Sequence, residues 1–266
     1  MRITGRTKIM PIIGFPVGGV FSPPAINRFF EENGVDAVMY GMDLAPEAVE
    51  AFWSVIRGTE NMAGCSITYP HKQAAFQAVD GMTTRAARLG ALNTIRREPD
   101  GRLFGEATDG QAMIAAIARA GFDLQGRSAQ IAGAGGGAGR AIADALCEAG
   151  IRSLVLRETD TERHKAVIAS LREHWPNVEL SEHADPCDIL INATTLGKCG
   201  GDPLPFSEDE IGAATLCCDV ITSPGDTQFV TAAKRRGAIV VDGNGMGSGQ
   251  IEVQLQFLRL IGDATE

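Results

Sequence analysis

No apolar run in this 266-residue chain reaches the ~18 residues that a membrane-spanning helix requires. The N-terminus also lacks the charged and apolar regions of a secretory signal, so a cytoplasmic protein without a membrane partner is expected. Cys-x-x-Cys pairs are absent: the six cysteines are scattered, and Cys217-Cys218 falls in an apolar stretch that reads as a buried strand. Reduced thiols are the simplest expectation. The four histidines, His71, His164, His174 and His183, form no ligand-like spacing, so no metal is expected. Basic residues are in deficit, with 24 Lys and Arg against 33 Asp and Glu and a formal charge of −9. Phosphate backbones are bound by basic faces that replace their counterions, so nucleic acid is a poor fit and a small metabolite a better one. Internal repeats, low-complexity tracts and charge blocks are missing as well.

What is present, 44% apolar residues over this length, suffices for two modest domains, each with its own core. Ile9 to Gly14 and Val35 to Met42 read as strands. Ser22-Pro23-Pro24 between them offers an N-cap with proline in the first turn of a helix that runs to Asn33-Gly34. A second helix has Pro46 near its start, Ala48, Phe52 and Val55 at helical spacing, and Gly58 at its end. A strand at Met62 to Ile67 leads into Pro70 and a short helix, and Pro99-Asp100-Gly101 reads as a hairpin turn between two further strands.

From Gly110 the rhythm changes. A helix to Gly121 precedes the strand Ser128 to Ala132, which opens into Gly133-Ala-Gly-Gly-Gly-Ala-Gly139. Helices from Arg140 and Arg163 then alternate with strands at Ser153 to Arg157 and near Val178, Ile189, Val220 and Val240. Such a βαβ series predicts an α/β fold with a parallel, doubly wound sheet. Glycines between a strand end and a helix start let the backbone approach a pyrophosphate, whose charge rests on the helix N-terminal amides. Gly133-x-Gly135 followed by Ala138 fits G-x-G-x-x-A, with Gly139 one position beyond the usual third glycine. Gly133, Ala134, Gly135, Gly136, Gly137 and Ala138 are therefore candidate dinucleotide contacts.

Three blocks precede this turn: Ser66-Ile-Thr-Tyr-Pro-His-Lys72, Leu89-Gly-Ala-Leu-Asn-Thr94 and Ala107-Thr-Asp-Gly110. In this order they resemble the substrate-side motifs of the shikimate dehydrogenase family, N-V-T-x-P-x-K, G-A-x-N-T and N-T-D-G. The resemblance covers nearly the whole chain. It implies a substrate-binding domain over 1–108, completed by a C-terminal helix within 243–266, and a Rossmann NAD(P)-binding domain over 109–242, with substrate in the cleft between them. It makes Lys72 and Asp109 the pair that shuttles the proton of the reacting hydroxyl. A lysine acts as base only when its pKa comes down toward neutrality, whereas a nearby carboxylate favours the ammonium, so the two would titrate as a coupled pair. Ser22, Thr68, Asn93 and Gln250 match positions that hydrogen-bond the substrate's carboxylate and hydroxyls. Read locally, Ser22 serves equally as an N-cap, Asn93 as a turn residue and Asp109 as the cap of a helix starting at Gly110. Asp188-Ile-Leu-Ile-Asn192-Ala-Thr-Thr-Leu-Gly197 resembles D-x-x-I-N-A-T-x-x-G, which places Asn192, Thr194 and Thr195 near the nicotinamide half. Asp242-Gly-Asn-Gly-Met-Gly-Ser-Gly-Gln250 resembles D-G-x-x-M-L-x-x-Q and adds Gly243 and Met246, the latter facing the nicotinamide.

The departures concern recognition. Val20 stands where the family has the first serine of S-x-S-P, Ser66 and Ala107 replace asparagines, and Thr222 stands where D-x-x-Y has tyrosine. The implied activity is oxidation of a ring hydroxyl of shikimate, or of a relative such as quinate or aminoshikimate. A non-catalytic metabolite sensor on the same fold is the alternative of another class, against which the retained Lys72 and Asp109 speak. A homodimer is compatible with the resemblance. The coenzyme stays open between NADP and NAD. Family members using NADP often show N-R-T after the second strand of the glycine unit; here Arg157-Glu158-Thr159 puts an acidic residue about 20 positions after the glycines, as ribose-hydroxyl recognition prefers. Arg157, Arg163 and Lys165 are near enough in sequence to serve a 2′-phosphate instead.

Overall fold

The KIMPIIG run, Lys8–Gly14, forms strand β1, and its last five residues are all buried, as befits a central parallel strand. The computed structural model describes residues 2–181, 186–222 and 225–262, so His183 lies outside the described residues. The chain divides into two compact units, Met1–Thr108 with Gln250–Glu266, and Asp109–Gly249. In the first unit, helix α1 (Ser22–Asn33) has prolines in its first turn and ends on Gly34 at φ 66°. Ser22 is not its N-cap: Phe21 holds that position in an αR backbone and no side chain caps the helix. Pro23 and Pro24 lack the N–H groups that a cap would serve. The Asn27 amide donates to the Met39 carbonyl and accepts from the Met39 N–H, both at 2.8 Å, which secures β2 (Ala37–Asp43), an edge strand.

A 3-10 turn over Pro46–Ala48 leads into α2 (Val49–Gly58). Its buried face is Val49, Phe52, Trp53 and Ile56, an i, i+3, i+4, i+7 stripe, and the Phe52 and Trp53 rings meet edge to face at 5.4 Å. Val55, expected on that face, is 55% exposed because it lies off the stripe. Then come β3 (Gly64–Ile67), α3 (Lys72–Ala78), β4 (Gly81–Met82), α4 (Thr84–Leu89), β5 (Thr94–Arg97) and β6 (Leu103–Glu106). The sheet order is β2-β1-β3-β5-β6-β4; β1 runs parallel to β2 and β3, while β3, β5 and β6 alternate in direction. The β5–β6 connection turns at Gly101, whose φ of 85° suits glycine.

The second unit contains α5 (Asp109–Arg119), β7 (Ser128–Ala132), α6 (Gly137–Glu148), β8 (Ser153–Arg157), α7 (Thr161–His174), β9 (Glu179–Ser181), β10 (Ile189–Asn192), α8 (Glu208–Ala213), β11 (Leu216–Asp219), α9 (Gln228–Arg235), β12 (Ile239–Val241) and the start of α10 (Gly243–Phe257). Its strands are all parallel in the order β12-β11-β10-β7-β8-β9, a doubly wound sheet whose order reverses between β7 and β10. Ile131, Ile142, Leu146, Leu154, Ile189 and Leu216 form its core. α6 starts three residues before the expected Arg140, because Arg140 N–H already bonds the Gly136 carbonyl. β11 ends before Val220. Cys217 and Cys218 are buried within it, and burial pushes the Cys217 thiol up to about 12, which keeps it unreactive. Among the described residues, no helix is long and apolar enough to cross a membrane.

From Gln250 onward α10 belongs to the first unit, where Leu255 and Leu258 join Met10, Ile26 and Phe30 in the core. Arg96 anchors the helix end: it donates to the Phe257 carbonyl at 2.9 Å, pairs with Glu98 and lies 4.7 Å from the Phe257 ring centroid. A buried polar chain ties the same helix to the sheet. Ser66 Oγ donates to Gln254 Oε1 at 3.4 Å, Gln254 Nε2 donates to Thr94 Oγ1 at 3.1 Å, and the Thr94 and Thr108 hydroxyls lie 3.3 Å apart. Gln254→Leu removes the bond of the buried Ser66 hydroxyl to Gln254 and one of those made by Thr94. It should lower unfolding free energy by about 1–3 kcal/mol in urea titration, the cost of orphaned buried polar groups.

Candidate active site

Thr68 directly follows β3, at the carboxyl end of the sheet's parallel strands. Its N–H donates to the Ile13 carbonyl at 2.9 Å, and a Cβ on Gly14 would lie 2.4 Å from its methyl, so the β1 end approaches it as only glycine allows. Lys72 is the first residue of α3 and half-buried. The preceding His71 fixes that helix start: it is 2% exposed, its N–H donates to the Thr68 carbonyl at 3.0 Å, and its Nε2 meets the Leu44 carbonyl at 2.7 Å. Asn93 is no surface turn residue. It is buried, and its Oδ1 accepts from Thr108 N–H at 2.8 Å and Thr108 Oγ1 at 3.1 Å. Ser22 and Gln250 are half-buried, on α1 and α10. Asp109 is itself the first residue of α5, in the second unit, rather than a cap preceding it. Ser66, at the asparagine position of the motif, turns its hydroxyl to Gln254, a partner that no motif signalled.

The glycine turn is built by three close approaches. Gly133 adopts φ 79°, and a Cβ there would lie 2.8 Å from the Ala193 carbonyl oxygen. Gly133 and Ala134 donate their N–H groups to the Arg157 carbonyl at 2.8 and 3.1 Å, which seats the turn on the end of β8. A Cβ on Gly139 would come within 2.1 Å of the Gly133 carbonyl oxygen. Gly139, not Ala138, is thus the residue that lets α6 lie against the turn. Around Gly137 a Cβ would meet nothing within 4 Å. The amides of Gly137, Ala138 and Gly139 open α6, where helical geometry supplies no acceptor, so the turn fits a dinucleotide's phosphates. Beside it lies a cavity of about 850 Å³, lined by Gly133, Gly136, Glu158, Thr194, Thr195 and Thr222 among others.

Asn192 and Met246, expected near the nicotinamide half of the dinucleotide, are both buried. Asn192 is fully buried: its Nδ2 donates to the Leu196 carbonyl and to Asp219 Oδ1, both at 3.0 Å, and its Oδ1 accepts from the Thr194 hydroxyl at 2.6 Å. It shapes the loop that carries Thr194 and Thr195. Asp219 is buried beside it, and burial raises its carboxyl despite donors from Thr227, Ile221 and Asn192. Met246 is 9% exposed and belongs to the core cluster of the unit. Gly243 is required where α10 starts, since a Cβ would lie 2.2 Å from the Ile221 carbonyl oxygen.

At the end of β8 the Glu158 carboxylate faces the turn. Its Oε2 accepts from Gly135 N–H at 3.0 Å, and its Oε1 from the N–H groups of Thr159 at 2.8 Å and Asp160 at 3.1 Å. Burial works to raise its pKa, but these amides outweigh it and hold the carboxyl below its ordinary range. Arg157 forms an ion pair with Glu210 and lies 5.5 Å from the Phe206 ring centroid. Glu210 was missed as part of this region, although Ser207-x-x-Glu210 has the spacing of a capping box, which the structure forms. Burial opposes its ionisation, yet Gln130, Ser207 and Arg157 together bring it from 4.5 to about 2. A carboxyl depressed by folding stabilises above its unfolded pKa, and loses that contribution as pH falls through the folded value. The stability advantage of the parent over Glu210→Gln should therefore be constant near neutral pH and shrink between 4.5 and about 2, as read from urea midpoints.

The shikimate dehydrogenase substrate binding domain family matches residues 12–95. A shikimate dehydrogenase (NADP(+)) of Rubrobacter xylanophilus is 38% identical over 251 residues, 91% of this chain and 87% of that protein. One from Rhodospirillum rubrum is 32% identical over 253 residues, covering 92% and 89%. In fold, the chain is similar to shikimate 5-dehydrogenase from Listeria monocytogenes, solved with shikimate and NAD, at a TM-score of 0.87 and 24% identity, over 97% of this chain and 94% of that one. A catalytic-motif lysine at the head of α3, an aspartate at the head of α5 and a dinucleotide-type glycine turn accompany that likeness, and the chain belongs to the shikimate dehydrogenase family.

Proposed function

We propose that the chain is an NAD(P)-dependent dehydrogenase that interconverts shikimate and 3-dehydroshikimate, with the first unit binding substrate and the second binding coenzyme. The observation that carries this reading is the joint retention of Lys72 and Asp109, each opening its helix, in a chain of this family. When bound, the nicotinamide supplies the hydride acceptor, or the donor in the reverse direction. The chain's own residues handle the rest. Lys72 and Asp109 take the proton of the hydroxyl as its carbon loses hydride, and return it in reduction. Thr68, Asn93, Ser22 and Gln250 orient the ring by hydrogen bonds to its carboxylate and hydroxyls. The buried Thr108 bonds support this role for Asn93, since they hold its carbonyl oxygen in one orientation.

Gly133 to Ala138 receive the pyrophosphate at the head of α6, and Thr194 and Thr195 border the same cavity. A second reading, a ring acid related to shikimate such as quinate or aminoshikimate, is favoured by the altered recognition residues. Ser66 spends its hydroxyl on Gln254, and Val20 offers none. Free thiols at all six cysteines support a cytoplasmic setting. Reduced-nicotinamide absorbance with shikimate or quinate tests the function. Lys72→Ala should lower kcat by about 10²–10⁴-fold, the usual contribution of a general base, and a variant as active as the parent would overturn the assignment.

A further inference from the structure

The cavity rim at the end of β8, Arg157-Glu158-Thr159, has a charge arrangement unlike the N-R-T of the family's NADP-using members. Three cations lie near it in sequence, and each has a carboxylate partner. Arg157 pairs with Glu210 and stacks on Phe206, Arg163 lies 3.6 Å from Asp160, and Lys165 lies 3.0 Å from Glu162. His164, also on the cavity wall, meets the Leu156 carbonyl through Nε2 at 3.1 Å. Glu158 adds a carboxylate held by backbone amides rather than by a cation.

We propose that Glu158 makes this site selective for the dinucleotide with a free adenosine 2′-hydroxyl, NAD, over the 2′-phosphorylated form. The proposal rests on the dehydrogenase reading above and departs from the NADP(+) in the names of the relatives. Glu158 directly follows the second strand of the glycine unit, β8, and its Oε2 reaches back to Gly135 N–H within the turn. A carboxylate there accepts hydrogen bonds from ribose hydroxyls, whereas a phosphate at the 2′ position brings a second anion against it. Two backbone amides of the following turn and the Gly135 amide fix its position, so it does not swing aside without losing three hydrogen bonds. Arg157 is the sequence-adjacent cation best placed to rescue a phosphate, and turning it outward would break its pair with Glu210. Arg163 approaches the turn through its stem, since a Cβ on Gly135 would lie 2.6 Å from Arg163 Cβ, while its guanidinium is directed to Asp160.

The test is direct binding of NADH and of NADPH to the full chain by calorimetry, with no substrate present. NADH should bind tighter by about tenfold or more, the scale of repulsion between close charges at a partly exposed site. Glu158→Gln, which keeps the side-chain length and removes the charge, should narrow that ratio by about tenfold, chiefly by strengthening NADPH binding. Glu158→Ser should change the ratio in the same direction. Equal or tighter binding of NADPH by the parent, or an unchanged ratio in both variants, would overturn the proposal. Selective NADH binding without turnover of shikimate, quinate or aminoshikimate would sink the dehydrogenase reading and leave the coenzyme assignment standing.

Discussion

The carbonyl of Gly133 is the point on which the second unit depends. It accepts from Gly136 N–H at 3.1 Å, and it lies so near Gly139 that any side chain there would collide with it. That approach lets α6 begin immediately beyond β7, with its first amides beside the cavity rather than a turn away from it. The seating of Gly133 and Ala134 on the Arg157 carbonyl then joins the turn to the end of β8, so the position of Glu158 follows from the same backbone arrangement. The amides that open α6 and the Glu158 carboxylate are thus tied to one backbone arrangement, the carboxylate being held in its rotamer by three backbone amides.

In the first unit the comparable constraint is polar and buried. Ser66, Gln254, Thr94, Thr108 and Asn93 are each less than a tenth exposed, and they bond in sequence across β3, α10, β5 and the segment after β6. A chain of this kind is favourable only when its members are satisfied together, because each orphaned member would cost more than the bond it lost. The replacement of the motif's asparagine by Ser66 is tolerated in that setting: its shorter hydroxyl reaches Gln254 from the far helix. Ser66 is thereby built into the packing of α10 on the sheet, while the Thr68–His71 turn that starts α3 at Lys72 is held by backbone bonds indifferent to those side chains.

Much of this was legible from periodicity and turn chemistry. The βαβ alternation gave the parallel sheet, Pro99-Asp100-Gly101 gave the β5–β6 hairpin, and the glycine run located the turn between β7 and α6. Details that hinge on tertiary contacts were not legible. Ser22 looks like a cap, but capping depends on the backbone of Phe21 and on N–H groups that Pro23 and Pro24 do not have. Asn192 is expected near the nicotinamide from the likeness of its loop to a family motif; its burial against Asp219 becomes visible only once β10 and β11 are paired. Ala138 fits the glycine pattern by spacing, whereas the close approach belongs to Gly139, a matter of helix placement. Gln254 carried no signal, since one polar residue on the buried face of α10 looks like a break in that face.

The charges around β8 mark the same boundary between composition and arrangement. A sequence shows that Arg157, Glu158, Arg163 and Glu210 exist, but coenzyme preference depends on which of them are already paired. Glu210 has three calls on its carboxylate besides Arg157: the Gln130 amide at 3.0 Å, and the Ser207 N–H and hydroxyl at 2.8 Å each. It is therefore held in place to receive Arg157 whatever the coenzyme, and loss of Glu158 alone would not release that arginine. Preference for a 2′-hydroxyl is thereby guarded twice, by an anion present at the rim and by a cation withheld from it. The anion directly follows β8, and the cation at the end of that strand is withheld by Glu210 on α8.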